Sequence, residues 1–295
     1  MRMSTRLRQM IESGEQFVGP GVHDPLSAKL VKELGFNGLY LGGFSSSAPL
    51  VTMEPLMTMT EQVGLAANIT KVVGDLPLIV DGHTAYGDPV HVTRAVREFE
   101  AAGVAGIHIE DQFFPKRASY HKGLKHMVPV EVMQERIDAA LRARRDPDFF
   151  IVARTEARGA VGGSLDEVIR RLQLYAEAGA DAVMPMPYGA EEGKKVADAI
   201  TDTPLMWFSG LGPFAENAPE STIDELKEIG YLIVTYPILG LVRSIETLEA
   251  VYSGLKKNGI ADVENLTERY ERIMELIDAP AFYEIETRTT ERDQA

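Results

Sequence analysis

The chain contains no cysteine among its 295 residues. That removes disulfides, thiolate metal ligands and any sulfur nucleophile or sulfur acid from the chemistry open to it. Basic residues are outnumbered, 30 Lys and Arg against 44 Asp and Glu, for a net charge of −14. Nucleic-acid binding needs a basic face that neutralises phosphates, so this balance argues against such a partner. It leaves room for a small anionic substrate, because a few local Arg and Lys side chains or a bound cation can dominate a pocket. No stretch approaches the roughly 18 consecutive apolar residues of a membrane span. Met1 to Gln16 is mixed in charge and lacks the apolar core of a secretory signal. A cytoplasmic location is therefore expected, with no membrane partner. Histidine is also scarce, six in all, and two of them stand beside acids on apolar runs.

What is present is a regular alternation. Eight short apolar runs, Gln16–Pro20, Gly38–Gly42, Pro77–Asp81, Ala105–Glu110, Phe149–Arg154, Ala182–Met186, Leu205–Ser209 and Tyr231–Tyr236, are separated by stretches of helical period. Asp24 caps one helix and Gly35 stops it; Asp88-Pro89 opens another that ends at Gly103. Phrases such as Glu-Leu-Gly-Phe, Ala-Ala-Gly-Val and Glu-Ala-Gly-Ala recur where a helix gives way to a strand. Eight βα units of this size predict an α/β fold, a (β/α)₈ TIM-type barrel over about 16–258; a doubly wound open sheet is the rival. Residues 259–295 read as a C-terminal helical extension and polar tail, within one domain.

The chemistry concentrates on two of these runs. Asp81 and His83 lie two residues apart after Leu78-Ile79-Val80, and His108 and Glu110 repeat the pattern. On a continuous strand, residues two apart share a face at a spacing of roughly 6.6 Å, and neighbouring strands lie roughly 4.8 Å apart. If these strands are neighbours, two carboxylates and two imidazoles converge, which is the donor set of a metal site. A cation would stabilise acids that are otherwise expensive to bury; a salt bridge to Arg154 is the alternative. His108, one pleat deeper, suits a supporting place better than direct ligation. Arg154 is the natural clamp for a substrate carboxylate, unless Glu110 or Glu156 takes it. Tyr40, Gly42, Gly43 and Phe44 end the second run, where backbone N–H groups can face an oxyanion. Met184, Met186, Trp207 and Phe208 face or flank the pocket, or pack the barrel. The segment Phe113 to His126 is basic and follows the fourth run directly, as expected of a lid over an anion.

These residues carry a family resemblance. Asp-Pro-Leu-Ser-Ala-Lys after the first run, the Asp81 run with its Tyr86-Gly87 turn, Ile-Glu-Asp-Gln with Pro-Lys-Arg, and Ala-Arg-Thr-Glu-Ala resemble the isocitrate lyase / phosphoenolpyruvate mutase superfamily from about Phe17 to Gly240. The resemblance implies Mg²⁺- or Mn²⁺-assisted lyase chemistry, C–C or C–P bond cleavage, decarboxylation or hydrolysis, on a small 2-oxo or 2-hydroxy acid through an enolate-like intermediate. It also implies a helix-swapped homo-oligomer, a dimer or dimer of dimers. Asp81 and Glu110 match its metal-site acids, and Lys116 its lid lysine.

Several positions depart from the family pattern. The second acid of Asp-x-Asp is His83, and the lid cysteine is replaced in Lys116-Arg117-Ala118-Ser119-Tyr120, so Ser119, Tyr120 or His121 must supply the acid or a metal-bound water must act. An aspartate of the family falls at Pro55, with Glu54 adjacent. A glutamate falls at Met186 and an asparagine near Phe208, which predicts a less polar pocket. Two further readings stay open. Asp81, His83, His108 and Glu110 could hold Fe²⁺ or Mn²⁺ for oxygen chemistry, or the barrel could bind without catalysing.

Overall fold

All eight apolar runs form strands in the computed structural model, which describes residues 1–117, 126–209, 221–259 and 265–290. They are β1 (Phe17–Pro20), β2 (Leu39–Leu41), β3 (Leu78–Asp81), β4 (Gly106–Glu110), β5 (Phe150–Arg154), β6 (Ala182–Met184), β7 (Leu205–Phe208) and β8 (Tyr231–Tyr236). Every pairing is parallel, in the order β1-β8-β7-β6-β5-β4-β3-β2. The seam between β1 and β2 is drawn together by a bridge from Gly21 to Tyr40, with the Val22 N–H donating to the Tyr40 carbonyl at 2.9 Å. This is the expected barrel, not an open sheet. Its strands are buried on both faces, as parallel strands with a packed interior and an outer helical layer must be, so they read as unbroken apolar runs.

The connecting helices begin where the sequence supplies caps. Helix α2 (Pro25–Glu33) has Asp24 accepting from the Ser27 N–H with a reciprocal capping box, and α4 (Met59–Val73) has the same device in Thr58 and Glu61. Asp88 caps α5 (Pro89–Ala101) by accepting from the N–H groups of Val90 and His91. Helices α6 (Val130–Ala143), α7 (Leu165–Glu177), α8 (Ala190–Ala199) and α9 (Ile223–Ile229) complete the outer layer. Gly103 follows α5 at φ 80°, a left-handed turn that a side chain would strain.

Three helices lie outside the sequence expectation. Helix α1 (Met3–Glu12) buries Met3, Leu7, Met10 and Ile11 and ties itself to the loop before β5 through Ser4 to Asp146 and Thr5 to Asp148. Its apolar residues follow a helical period that the flanking charges obscure. The loop after β2 winds into a short helix, α3 (Gly43–Ser47). The chain divides into two compact units, Met1–Leu241 and Val242–Ala295. The second unit contains most of α10 (Leu239–Asn258), then α11 (Leu266–Leu276) and α12 (Ala279–Thr289), so the stretch expected as a polar tail is largely helix. Among the described residues no helix is long and apolar enough to cross a membrane.

Candidate active site

Strands β3, β4 and β5 end side by side, with Asp81 level with His108 and Glu110 level with Arg154. The neighbourhood expected for the acids is therefore present, but one route to it differs. Strand β3 stops at Asp81, so strand alternation does not place His83. A turn does. Asp81 Oδ1 accepts from the His83 N–H at 2.7 Å, and the Gly82 N–H donates to the His108 carbonyl at 2.8 Å. His83, Ala85 and Tyr86 then hold left-handed backbone, at φ 55°, 53° and 63°. The His83 carbonyl accepts from the Glu110 N–H at 2.9 Å, which locks the turn to β4.

The turn brings His83 and Asp81 together with a third group, Glu54, from the helical turn Glu54–Leu56. Ligand atoms of Glu54, Asp81 and His83 all lie within 4.8 Å of one another, and all three residues are buried. Among the described residues His83 Nε2 has no hydrogen-bond partner. Gly43 keeps the space open, since a Cβ there would stand 2.7 Å from Glu54 Oε1 and 2.8 Å from His83 Cε1. Its N–H donates to Asp81 Oδ2 at 3.2 Å, so the amide expected to face a substrate oxyanion holds a protein carboxylate instead. Gly42 precedes α3 as its cap residue, and Phe44 is half-buried. Two buried carboxylates and an unpartnered imidazole fit a divalent cation by donor chemistry. Sequence reasoning set Glu54 aside as a neighbour of Pro55; its standing as the only acid between Glu33 and Glu61 was the available signal.

Glu110 and His108 stand next to this group with different partners. Lys116 Nζ lies 2.5 Å from Glu54 Oε1, 3.4 Å from Glu110 Oε1 and 3.5 Å from Asp81 Oδ2. Arg154 Nε donates to Glu156 at 2.8 Å and lies 3.5 Å from Glu110 Oε2, while Nη2 also bonds Glu156. The pairing with Glu156 that sequence left open is thus made. Tyr40 shares a hydrogen bond of 2.7 Å with His108 Nε2, and His108 Nδ1 is 3.7 Å from Asp81 Oδ1. Phe208 meets Tyr40 edge-on at 5.9 Å and lies under the Arg154 guanidinium at 5.6 Å. Met186, just past β6, is half-buried against the core, and Met184 is wholly core. Trp207 takes the packing alternative: its ring packs on Tyr231 at 4.9 Å and over Gly193, because it alternates outward from Phe208. Ser119, Tyr120 and His121 lie outside the described residues.

Asp111, next to Glu110, was not singled out from the sequence. It accepts from Thr155 Oγ1, the Tyr175 hydroxyl, Arg171 Nη1 and the Glu156 N–H, at 2.7 to 3.1 Å. It thereby fastens the ends of β4 and β5 to α7.

Burial and the cations set the protonation states. Burial works against the Asp81 carboxylate, but Lys116, followed by His108, His83 and Arg154, holds it well below the usual range. Burial pushes Glu110 up to about 7, over the opposing pull of Lys116 and Arg154. Burial presses His83 and His108 each down to about 3, Lys116 reinforcing it for both. The folded chain therefore keeps both rings neutral while an unfolded chain, titrating near 6.5, takes up protons. Metal-free protein is expected to lose stability as pH falls from 6.5 towards 3. Glu110 opposes this between 4.5 and 7, but it is one group with a smaller shift. Thermal melts in chelator should fall towards acid, and His108→Asn should flatten the fall. A melting temperature that is level or rises on acidification contradicts this.

A parallel barrel with buried acids, neutral imidazoles and two cations at the C-terminal ends of its strands defines an enzyme of the (β/α)₈ class. The family model described as phosphoenolpyruvate phosphomutase matches residues 7–256, and the chain belongs to that family, within the phosphoenolpyruvate mutase / isocitrate lyase superfamily. It is 36% identical to 2,3-dimethylmalate lyase of Eubacterium barkeri over 263 residues, 88% of each chain. It is also 36% identical to 2-methylisocitrate lyase of Aeropyrum pernix over 287 residues, 97% of this chain and 89% of the relative. Among solved structures, a phosphonopyruvate hydrolase complex with oxalate and Mg²⁺ superposes with a TM-score of 0.85 at 28% identity, covering 98% of this chain and all of that one. Its relatives are thus lyases, mutases and hydrolases of small acids.

Proposed function

We propose that the protein is a divalent-metal-dependent lyase that cleaves the bond beside a carboxylate in a small 2-oxo or 2-hydroxy acid carrying an apolar substituent. The observation that carries this reading is the buried Glu54–Asp81–His83 group, whose imidazole Nε2 is unpartnered among the described residues. Those three residues would hold Mg²⁺ or Mn²⁺, with Glu110 and His108 supporting them. When bound, such an ion supplies Lewis-acid polarisation of a substrate oxygen and offsets developing negative charge. Arg154, bonded to Glu156 through Nε and Nη2, orients the substrate carboxylate with its remaining N–H groups from its place over Phe208. In a 2-hydroxy acid the carbon–carbon bond breaks as the hydroxyl gives up its proton and becomes a carbonyl. The electron pair passes to the carbon conjugated with the carboxylate, which then takes a proton. Glu110, with its carboxyl near 7, is poised to take the first proton. Ser119, Tyr120 or His121 supplies the second. Tyr40, Phe208 and Met186 line the side on which the apolar substituent rests, and the name of the dimethylmalate relative supports that preference.

The test is direct. Purified protein is analysed for bound metal, then supplied with Mg²⁺ or Mn²⁺ and a panel of C3-methylated and unmethylated malates, citrates and oxaloacetates. Carbonyl products are followed by trapping and by NMR. Turnover favouring methylated acids is expected. Tightly held iron with oxygen uptake would replace this reading by the oxygen-using one, and no metal with no turnover would end both.

We propose further that the C-terminal unit mediates a homo-oligomer with a second copy of the chain, swapping helices. Helix α10 exposes Ile245, Leu248, Tyr252 and Leu255 at helical spacing, and α11 exposes Tyr270 and Ile273. Such rows exceed the scattered apolar residues of an ordinary surface. Leu248→Asp with Tyr252→Asp should reduce the solution mass by light scattering to that of a 32.4 kDa monomer. Wild-type protein that is itself monomeric sinks this proposal.

A further inference from the structure

Lys116 takes no part in the proposed chemistry. Its ammonium sits inside the acid cup with 4% of its side chain exposed, against Glu54, Glu110 and Asp81. Two of those acids, Glu54 and Asp81, also belong to the group that could hold a cation. A buried lysine shared by three acids is a tethered cation. Its shortest contact, 2.5 Å, is to an oxygen of Glu54, one of the residues that would hold the cation. We infer that Lys116 and a divalent cation exclude each other from this cup, so that Lys116 sets the affinity of the site for its metal.

The surroundings allow the exchange without unfolding. The backbone beside Lys116 is pinned, since the Arg117 N–H donates to Gln112 Oε1 at 3.0 Å and Gln112 Nε2 donates to the Arg117 carbonyl at 2.9 Å. Gln112 Nε2 also reaches Glu110 Oε1 at 3.1 Å, which fixes this anchor to the end of β4. Beside the anchored backbone, Pro115 and Arg117 are exposed. The flexible four-carbon stem of lysine can therefore carry the ammonium to solvent while the chain stays in place. Like charges brought together in a water-poor cup repel strongly, so the ammonium and a cation would compete for the same carboxylates.

This inference rests on the metal-dependent reading above, and its test separates the two. Mn²⁺ binding is measured by calorimetry on wild-type protein and on Lys116→Met, each stripped with chelator. The variant is expected to bind Mn²⁺ on the order of ten-fold more tightly. Because the variant could fold poorly, wild-type protein is also labelled with an amine-acetylating reagent, with and without Mn²⁺, and acetylation at Lys116 is read by peptide mass spectrometry. Metal is expected to raise labelling of Lys116 several-fold while surface lysines such as Lys194 stay constant. Binding of Mn²⁺ with unchanged labelling of Lys116 overturns the exclusion and leaves the metal site standing. Failure of both proteins to bind Mn²⁺ overturns both readings.

Discussion

Asp81→Ala is expected to abolish stoichiometric Mn²⁺ binding and to lower kcat/KM on any acid the wild type cleaves by about 10²–10³-fold. Asp81 is the shared member of the site. It belongs to the group with Glu54 and His83, it lies 3.5 Å from Lys116, and it stands level with His108 across the β3–β4 ladder. It also accepts the N–H groups of His83 and Gly43, so its removal frees both the imidazole-bearing turn and the start of α3. The fold itself should persist, since Asp81 is the last residue of its strand and the apolar ladder of β3 precedes it. Calorimetry with Mn²⁺, steady-state kinetics and circular dichroism on one preparation check the three parts. An Asp81→Ala protein that binds Mn²⁺ like the wild type removes the basis for the site.

Arg154→Met is expected to destabilise the protein by about 3–5 kcal/mol, the range for stripping one partner from a buried ion cluster. Glu156 and Glu110 are both fully buried beside the guanidinium, and methionine would remove the cation they share. Burial opposes the charged guanidinium, yet Glu156 and Glu110 hold its pKa well above the usual value, which fits an arginine bound into a network. Chemical denaturation measures the loss, and Arg154→Met with Glu156→Gln should recover a substantial part of it, because the second change removes the stranded charge. The double variant should still bind substrate poorly, as the carboxylate clamp is gone. A single variant within 1 kcal/mol of the wild type, a threshold of about the worth of a surface ion pair, would show that the pairing carries little.

The barrel was legible because its strands are buried on both faces and its helices carry caps. Runs such as Phe149–Arg154 and stops such as Gly103 fall where the elements do. Helix α12 was missed because it opens the stretch from Asp278 to Ala295, whose composition is mostly polar, and its apolar positions Phe282 and Ile285 are exposed. At the site, sequence could place Asp81, His108, Glu110 and Arg154 at neighbouring strand ends, since parallel register is regular. It could not place His83, whose position follows from a left-handed turn and not from a strand. It flagged Glu54 only as a neighbour of Pro55, because the path of the segment that brings it to the site is not dictated by local pattern. The pairing of Arg154 with Glu156 depends on rotamers, and Lys116 in the acid cup depends on how Gln112 holds the chain at Arg117.

The turn after β3 has a consequence for ion choice. Three residues with side chains, none of them glycine, sit in left-handed backbone within four positions. Each such residue costs on the order of 1–3 kcal/mol and persists only where its surroundings over-determine it. Here the surroundings are the Asp81 carboxylate on one side and the Glu110 amide on the other. The imidazole is therefore delivered with almost no slack. If the proposed ion is held there, a donor that cannot retreat would favour small ions that demand close, regular coordination over larger ones such as Ca²⁺ that need a yielding cage.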